Sequence, residues 1–153
     1  MSKGFNIAAV RRNLEQTKRE LPVKLAKQAE AYFTGAFSRG GMEGEQPWQE
    51  VQRRIPGTRA WKYPKKRGLS RRTRPILIGE TASLRRRTAN SAREARWGYV
   101  RLVVDHVAAE VHNEGDEARG IPARPYMKQT DVLAKKQEKL ITKEMDKIWY
   151  KLS

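Results

Sequence analysis

No cysteine occurs anywhere in the chain, which removes disulfide frameworks and thiolate metal sites and leaves no need for an oxidising compartment. Assembly in a reducing cytoplasm is expected. Long apolar runs are missing as well. The start, MSKGFNIAAVRRNLEQ, holds no continuous stretch of signal-peptide length, and no later run approaches the ~20 apolar residues of a membrane span. A soluble protein, or part of a soluble assembly, with no membrane partner is the expectation. Histidine is scarce too. His106 and His112 stand six apart, on different faces of any helix, so they do not form the i, i+4 pair of a helical metal site. No G-K-[ST] or G-x-S-x-G motif appears, and the acids of EVHNEGDE beside His112 are read as a polar helix end. The expectation is a protein that is not an enzyme and that needs neither cofactor nor metal.

Acids are the most unevenly missing residue type. Between Val51 and Arg101 there are sixteen Lys and Arg against only Glu80 and Glu94, so this third of the chain carries +14 of the net +16. The flanking thirds are nearly balanced. Such a region repels itself and its copies unless it faces a polyanion or an acidic partner. Its densest part is TRAWKYPKKRGLSRRTRP, residues 58–75, where bases interleave with Trp61 and Tyr63 as on a backbone-tracking, base-stacking surface. The plain alternative is a solvated basic loop. With no helix-turn-helix, RRM or zinc-finger signature, any DNA contact is expected through phosphates. Lys65, Lys66, Arg67, Arg71, Arg72, Arg74, Arg85, Arg86 and Arg87 are the candidates for DNA or partner contact.

The length fits one domain, residues 1–153, with one core. Ile7, Val10, Leu14 and Leu21 predict an amphipathic helix ending near Glu20, and Pro22 a second helix running to Phe37, with Leu25, Ala29, Tyr32, Phe33 and Phe37 on one face. Recurrent Pro and Gly from 40 to 75 predict an extended loop, pinned by Trp48 and Trp61. Ile76–Ile78 reads as a brief strand, followed by a helical turn with Thr81 as N-cap. Residues 89–105 read as a hairpin whose second arm sets Val100, Leu102 and Val104 on one face. Asp105 is the expected cap of a short helix over HVAAEVHNE, which Gly115 ends. RGIPARPYM is a rigid connector. Thr130 caps a C-terminal helix whose stripe is Leu133, Leu140, Ile141, Met145, Ile148 and Leu152, a core face rather than a coiled-coil seam, with Trp149 and Tyr150 able to extend it to a subunit interface.

The order of these features resembles the phage virion morphogenesis proteins, the small tail-completion or head-tail joining proteins of Mu-like tailed phages and prophages. The shared features are a helix ending in aromatics (Phe33, Phe37), then Pro47-Trp48, then ILIGETASL, then HVAAEVHNEG, then GIPARPYM before a last helix. The third is commonly I-L-x-x-T-G-x-L in that family, carried here by Ile76, Leu77, Thr81 and Leu84 with one residue more between Leu77 and Thr81. The fourth, Y-A-x-x-H-x-x-G, keeps Ala109, His112 and Gly115. The fifth, I-P-A-R-P-[YF]-[LM], is matched from Ile121 through Met127, including Pro122, Arg124 and Pro125, and is the most specific. Ala82 stands where glycine is common, and Ala108 where tyrosine is.

The resemblance implies an α+β fold, with N-terminal helices and a long C-terminal helix packed on a small antiparallel sheet and a long basic loop at 40–75. It also implies a structural virion protein that completes the tail and joins it to the head or neck as a homo-oligomeric ring, expected to be a hexamer. The partners would be copies of itself, tail-tube and neck or connector proteins, and phage DNA by phosphate contacts. The location would be the tail-neck region of the virion, with assembly in the host bacterial cytoplasm. Whether the bases face DNA or an acidic protein is left open. The alternative is a nonspecific nucleic-acid-binding protein of a mobile element, and an enzyme with an unfamiliar site ranks third.

Overall fold

One helix organises the molecule. In the computed structural model, which describes residues 6–63, 69–79 and 81–150, helix α1 runs unbroken from Ile7 to Arg39 with Pro22 inside it. Asn6 caps its start, accepting a hydrogen bond from the Ala9 amide at 3.0 Å. Gly40, in the left-handed region at φ 75°, ends it and donates to the Ala36 carbonyl at 2.9 Å. The two helices expected on either side of Pro22 are therefore one. An interior proline forfeits a backbone hydrogen bond and costs about 3 kcal/mol, so packing must offset it. Leu21 and Pro22 are both buried, and the buried positions continue through Ala26, Ala29, Phe33, Ala36 and Phe37 on a single face. Tertiary burial on both sides of the proline outweighs the local preference.

The C-terminal helix α6, Asp131–Tyr150, lies antiparallel on α1. The pairings show the direction. Asn13 meets Ile148, Lys24 meets Glu144, Gln28 meets Lys136 and Tyr32 meets Thr130. Thr130 caps α6 as expected, its hydroxyl accepting from the Leu133 amide at 3.2 Å. Of the stripe, Leu133 and Ile148 are buried, Leu140 and Met145 half-buried and Ile141 exposed, while Leu152 lies outside the described residues. Glu144 takes a buried place instead. It accepts from Lys24 at 2.7 Å and Lys147 at 2.6 Å, which draw its pKa below the usual carboxylate value, the Lys147 hydrogen bond most of all.

Strands β1, Ala92–Arg96, and β2, Tyr99–Val103, form an antiparallel hairpin, with Arg96 opposite Tyr99 across the two-residue turn Trp97-Gly98. Gly98 supplies φ 76°, which a tight hairpin turn requires. Both strands lean on α1. Ala95 and Leu102 are half-buried on the inner face, and Arg93 reaches Glu30 of α1 at 3.5 Å. The fold is α+β, with the two long helices and a small antiparallel sheet in the expected chain order.

Four local expectations are overturned. Ile76–Ile78 is a turn rather than a strand, because Leu77 adopts φ 59° and reverses the chain while Ile76 enters the core. Thr81 does not cap helix α4, Ser83–Ala89. The capping position is Ala82, at φ 49° and ψ 32°, with no side-chain cap. Helix α5, Ala109–Glu114, starts later than Asp105 would allow, since the turn before it is closed by His106, whose Nδ1 accepts from the Ala108 amide at 3.1 Å. Gly115 does end α5. Segment 40–75 is not extended throughout either. It holds a 3-10 turn at Gln52–Arg54 and short helices α2, Arg59–Lys62, and α3, Leu69–Thr73.

A candidate partner interface built on a locked core

The core gathers Ala29, Tyr32, Phe33, Ala36 and Phe37 from α1 with Met42, Trp48, Ile76, Leu84, Tyr126 and Leu133. Phe37 is its centre. Trp48 meets the Phe37 ring edge-on at 5.9 Å, and Tyr126 tilts against it at 5.1 Å. Burial pushes the Tyr126 phenol up to about 12.

The connector is tied into this centre bond by bond. The Trp48 indole N–H donates to the Pro125 carbonyl at 2.8 Å, and the Arg124 amide donates to the His112 carbonyl at 2.8 Å. Asn113 Oδ1 accepts from the amides of both Tyr126 and Met127 at 3.1 Å. Asp116 and Ile121 exchange two backbone hydrogen bonds at 2.8 Å. Gly115, at φ 85°, lies so close to the connector that a Cβ there would stand 2.8 Å from the Ala123 nitrogen, so only glycine fits. Arg124 itself is buried, and its Nε and Nη2 both donate to the Gln49 carbonyl at 3.2 Å. Ile121, Pro122 and Pro125 are half-buried beside it. These residues fix the connector to the core. His112 is half-buried, and its Nδ1 is buried without a partner. Burial, followed by the charges of Arg124 and His106, lowers its pKa below the ordinary imidazole value.

The basic residues divide into three groups. Lys65, Lys66 and Arg67 lie outside the described residues. In the second group the Arg72 side chain is spent within the chain: its guanidinium stacks on Trp61 at 4.3 Å and donates to the Trp61 carbonyl at 3.1 Å. Arg71 and Arg74 are half-buried, and their carbonyls, with that of Pro75, are gathered by the Arg53 guanidinium. Arg53 was not singled out by the sequence, where it looks like one more base in a basic run. Burial, and then the charges of Arg54, Arg74 and Arg71, lower its pKa.

The third group is free. Helix α4 buries Leu84 and Thr88 and exposes Arg85, Arg86 and Arg87, and among the described residues none of the three has an acidic partner. Arg101, on the outer face of the hairpin, is exposed as well, while the exposed Arg96 stacks its guanidinium on the Tyr99 ring at 4.8 Å. Three adjacent exposed guanidiniums on one short helix make a locally cationic surface that repels other cations.

Among the described residues the Ser83 hydroxyl and His106 Nε2 stand 2.9 Å apart, within hydrogen-bond distance. No group of three or more His, Asp or Glu among the described residues could hold a metal ion, and no helix among them is long and apolar enough to cross a membrane. The other surface missed by sequence reasoning is apolar: an open groove of about 700 Å³ where α1, the hairpin tip and α6 meet. Its walls come from segments far apart in the chain, so no local pattern announces it. Compared with protein-family models, curated proteins and solved structures, the chain has no match in any of the three.

Proposed function

We propose that this chain is a structural virion protein of a tailed phage or prophage, which completes the tail and joins it to the neck as an oligomeric ring. One observation carries the reading. The five segments on which the resemblance rests, spread from Phe33 to Met127, meet around a single centre at Phe37, Trp48 and Tyr126. A second detail supports it: Ala82, standing where the family commonly has glycine, holds a left-handed backbone that glycine adopts without strain. The family-motif positions then serve the fold, and the partner-facing role falls to the exposed arginines of α4 and the hairpin. A ring that DNA passes through, or that docks on acidic neighbours, supplies the anions those arginines lack.

Negative-stain images of the purified protein test this reading, with closed rings of one diameter as the expected result. A protein that stays monomeric and binds DNA tightly at physiological salt would instead establish the nonspecific nucleic-acid binder. The free arginines keep that second reading in view. Duplex binding, where present, should weaken linearly in log K against log salt. Changing Arg85, Arg86 and Arg87 to Gln should make that slope shallower by about 0.9 for every phosphate the parent neutralises through them. A slope unchanged by the triple substitution would remove α4 from any DNA interface.

A further inference from the structure

The apolar groove lies open and gathers four of the exposed large apolar residues, Trp97, Tyr99, Val100 and Ile141, in one place. Its floor is Leu25 and Phe33 of α1, its walls Val100 of β2 and Ile141 of α6, and its lip the hairpin tip at Trp97, which is 51% exposed. The charged residues among its described lining are Arg96 and Lys128, with no carboxylate. Lys128 is held only by an exposed ion pair with Glu45, a contact of little worth that a better partner can displace. The groove therefore asks for an apolar side chain carried on an acidic segment.

The chain offers one such segment. Val107 is 96% exposed, the most solvent-open large apolar residue described, and Val103 near it is 41% exposed. From Val103 to Ala118 the sequence has Asp105, Glu110, Glu114, Asp116 and Glu117 and no Lys or Arg. Asp105 and Glu110, which flank Val107, are both exposed. Val107 is not among the groove's lining residues: it follows the end of β2 at Val103 and stands in solvent.

We propose that the Val107 segment of one copy seats in the groove of the next, with Asp105 and Glu110 against Arg96 and Lys128. Knob and groove are different surfaces of the same chain, so the contact is head-to-tail, the kind that closes into a ring when the rotation allows and extends into a filament when it does not. The proposal rests on the ring reading and gives it an interface. It also places the acidic stretch of each copy against cations of its neighbour, which relieves part of the self-repulsion of the middle third.

Sedimentation velocity on the full chain tests it with three variants, Val107→Asp, Val100→Asp and Asp105→Lys, each checked by circular dichroism for an unchanged melt. All three positions are exposed, so folding should persist. Each variant should raise the concentration needed for association by at least about tenfold, the ratio that ~1.4 kcal/mol represents. Val107→Asp keeps its groove and Val100→Asp keeps its knob, so an equimolar mixture of the two should form dimers and stop there. If the parent associates and the variants associate equally well, the knob-and-groove contact is wrong while the ring reading stands. If the parent remains monomeric at every concentration, the ring reading fails with it, and the groove belongs to a partner of another sequence.

Discussion

Arg124 and the arginines of α4 carry the same side chain and the same charge to opposite ends. Arg124 is buried, and its guanidinium serves the Gln49 carbonyl while its backbone amide serves His112. Arg85, Arg86 and Arg87 stand in water, with no acidic partner among the described residues. A buried guanidinium persists only where fixed acceptors replace its hydration, and the closed connector provides them. An exposed run of three is tolerated by the fold. A count of charges cannot separate the two; the position of backbone carbonyls does.

That contrast can be broken at its centre first. Phe37 is fully buried between Trp48 and Tyr126, so Phe37→Ala should cost about 3–5 kcal/mol. At roughly 2–4 °C per kcal/mol for a chain of this size, the melting temperature should drop by about 6–20 °C. A fall of under a few degrees would mean that the motif segments do not meet there.

The two arginine sites are the sharper comparison. Arg124→Ala removes charge-assisted hydrogen bonds and should cost about 1.5–3 kcal/mol. Arg86→Ala, in contrast, should stay within about ±0.5 kcal/mol. Urea melts of both variants side by side decide the matter, and equal midpoints would erase the distinction.

At the turn that leads into α4, Ala82→Gly should stabilise the protein by about 0.5–1 kcal/mol. The left-handed backbone costs a non-glycine residue roughly 1–2 kcal/mol, against which glycine loses somewhat more chain entropy on folding. A lower melting temperature would show that the alanine methyl group is doing more than tolerating its place.

The smallest effect concerns His112 and its direction is fixed by sign. Its folded pKa lies below the unfolded value of about 6.5, so the unfolded chain binds more protons in the window between the two. The contribution to stability is complete above about pH 6.5 and is lost as the pH falls through the folded pKa. His112→Gln should flatten the fall in stability over that window. A parent whose stability is constant from pH 7 to 5 would contradict the burial of this ring.

Much of this architecture was readable locally. Gly40 and Gly115 stop their helices, Thr130 starts one, and the hairpin turns at Trp97-Gly98, because each of these depends on the chemistry of a few neighbouring residues. The misreadings share the opposite property. Pro22 looked like a break because its compensation comes from α6 and the groove, more than 70 residues away. Ile76–Ile78 looked like a strand because a positive φ at Leu77 leaves no composition signal. The site was less legible than the fold. Arg53 and Arg72 are indistinguishable in sequence from their solvated neighbours, and the groove exists only where three distant segments meet.

The unbroken helix has one more consequence, and it concerns length. Thirty-three residues at ~1.5 Å each make a rod of about 50 Å. A compact chain of this size has a radius of gyration near 15 Å and hence a diameter of roughly 40 Å. Helix α1 is therefore longer than the body it organises, and the residues ahead of the Asn13–Ile148 contact reach beyond it. Their side chains agree, for Ile7 is 71% exposed and no described residue before Leu21 is buried. The continuous rod across Pro22 transmits orientation without a joint, so any angle imposed on the projecting end is imposed on the core. It acts as a lever arm, and amide exchange should grade steadily along it, fast at Ile7 and slowest near Phe37.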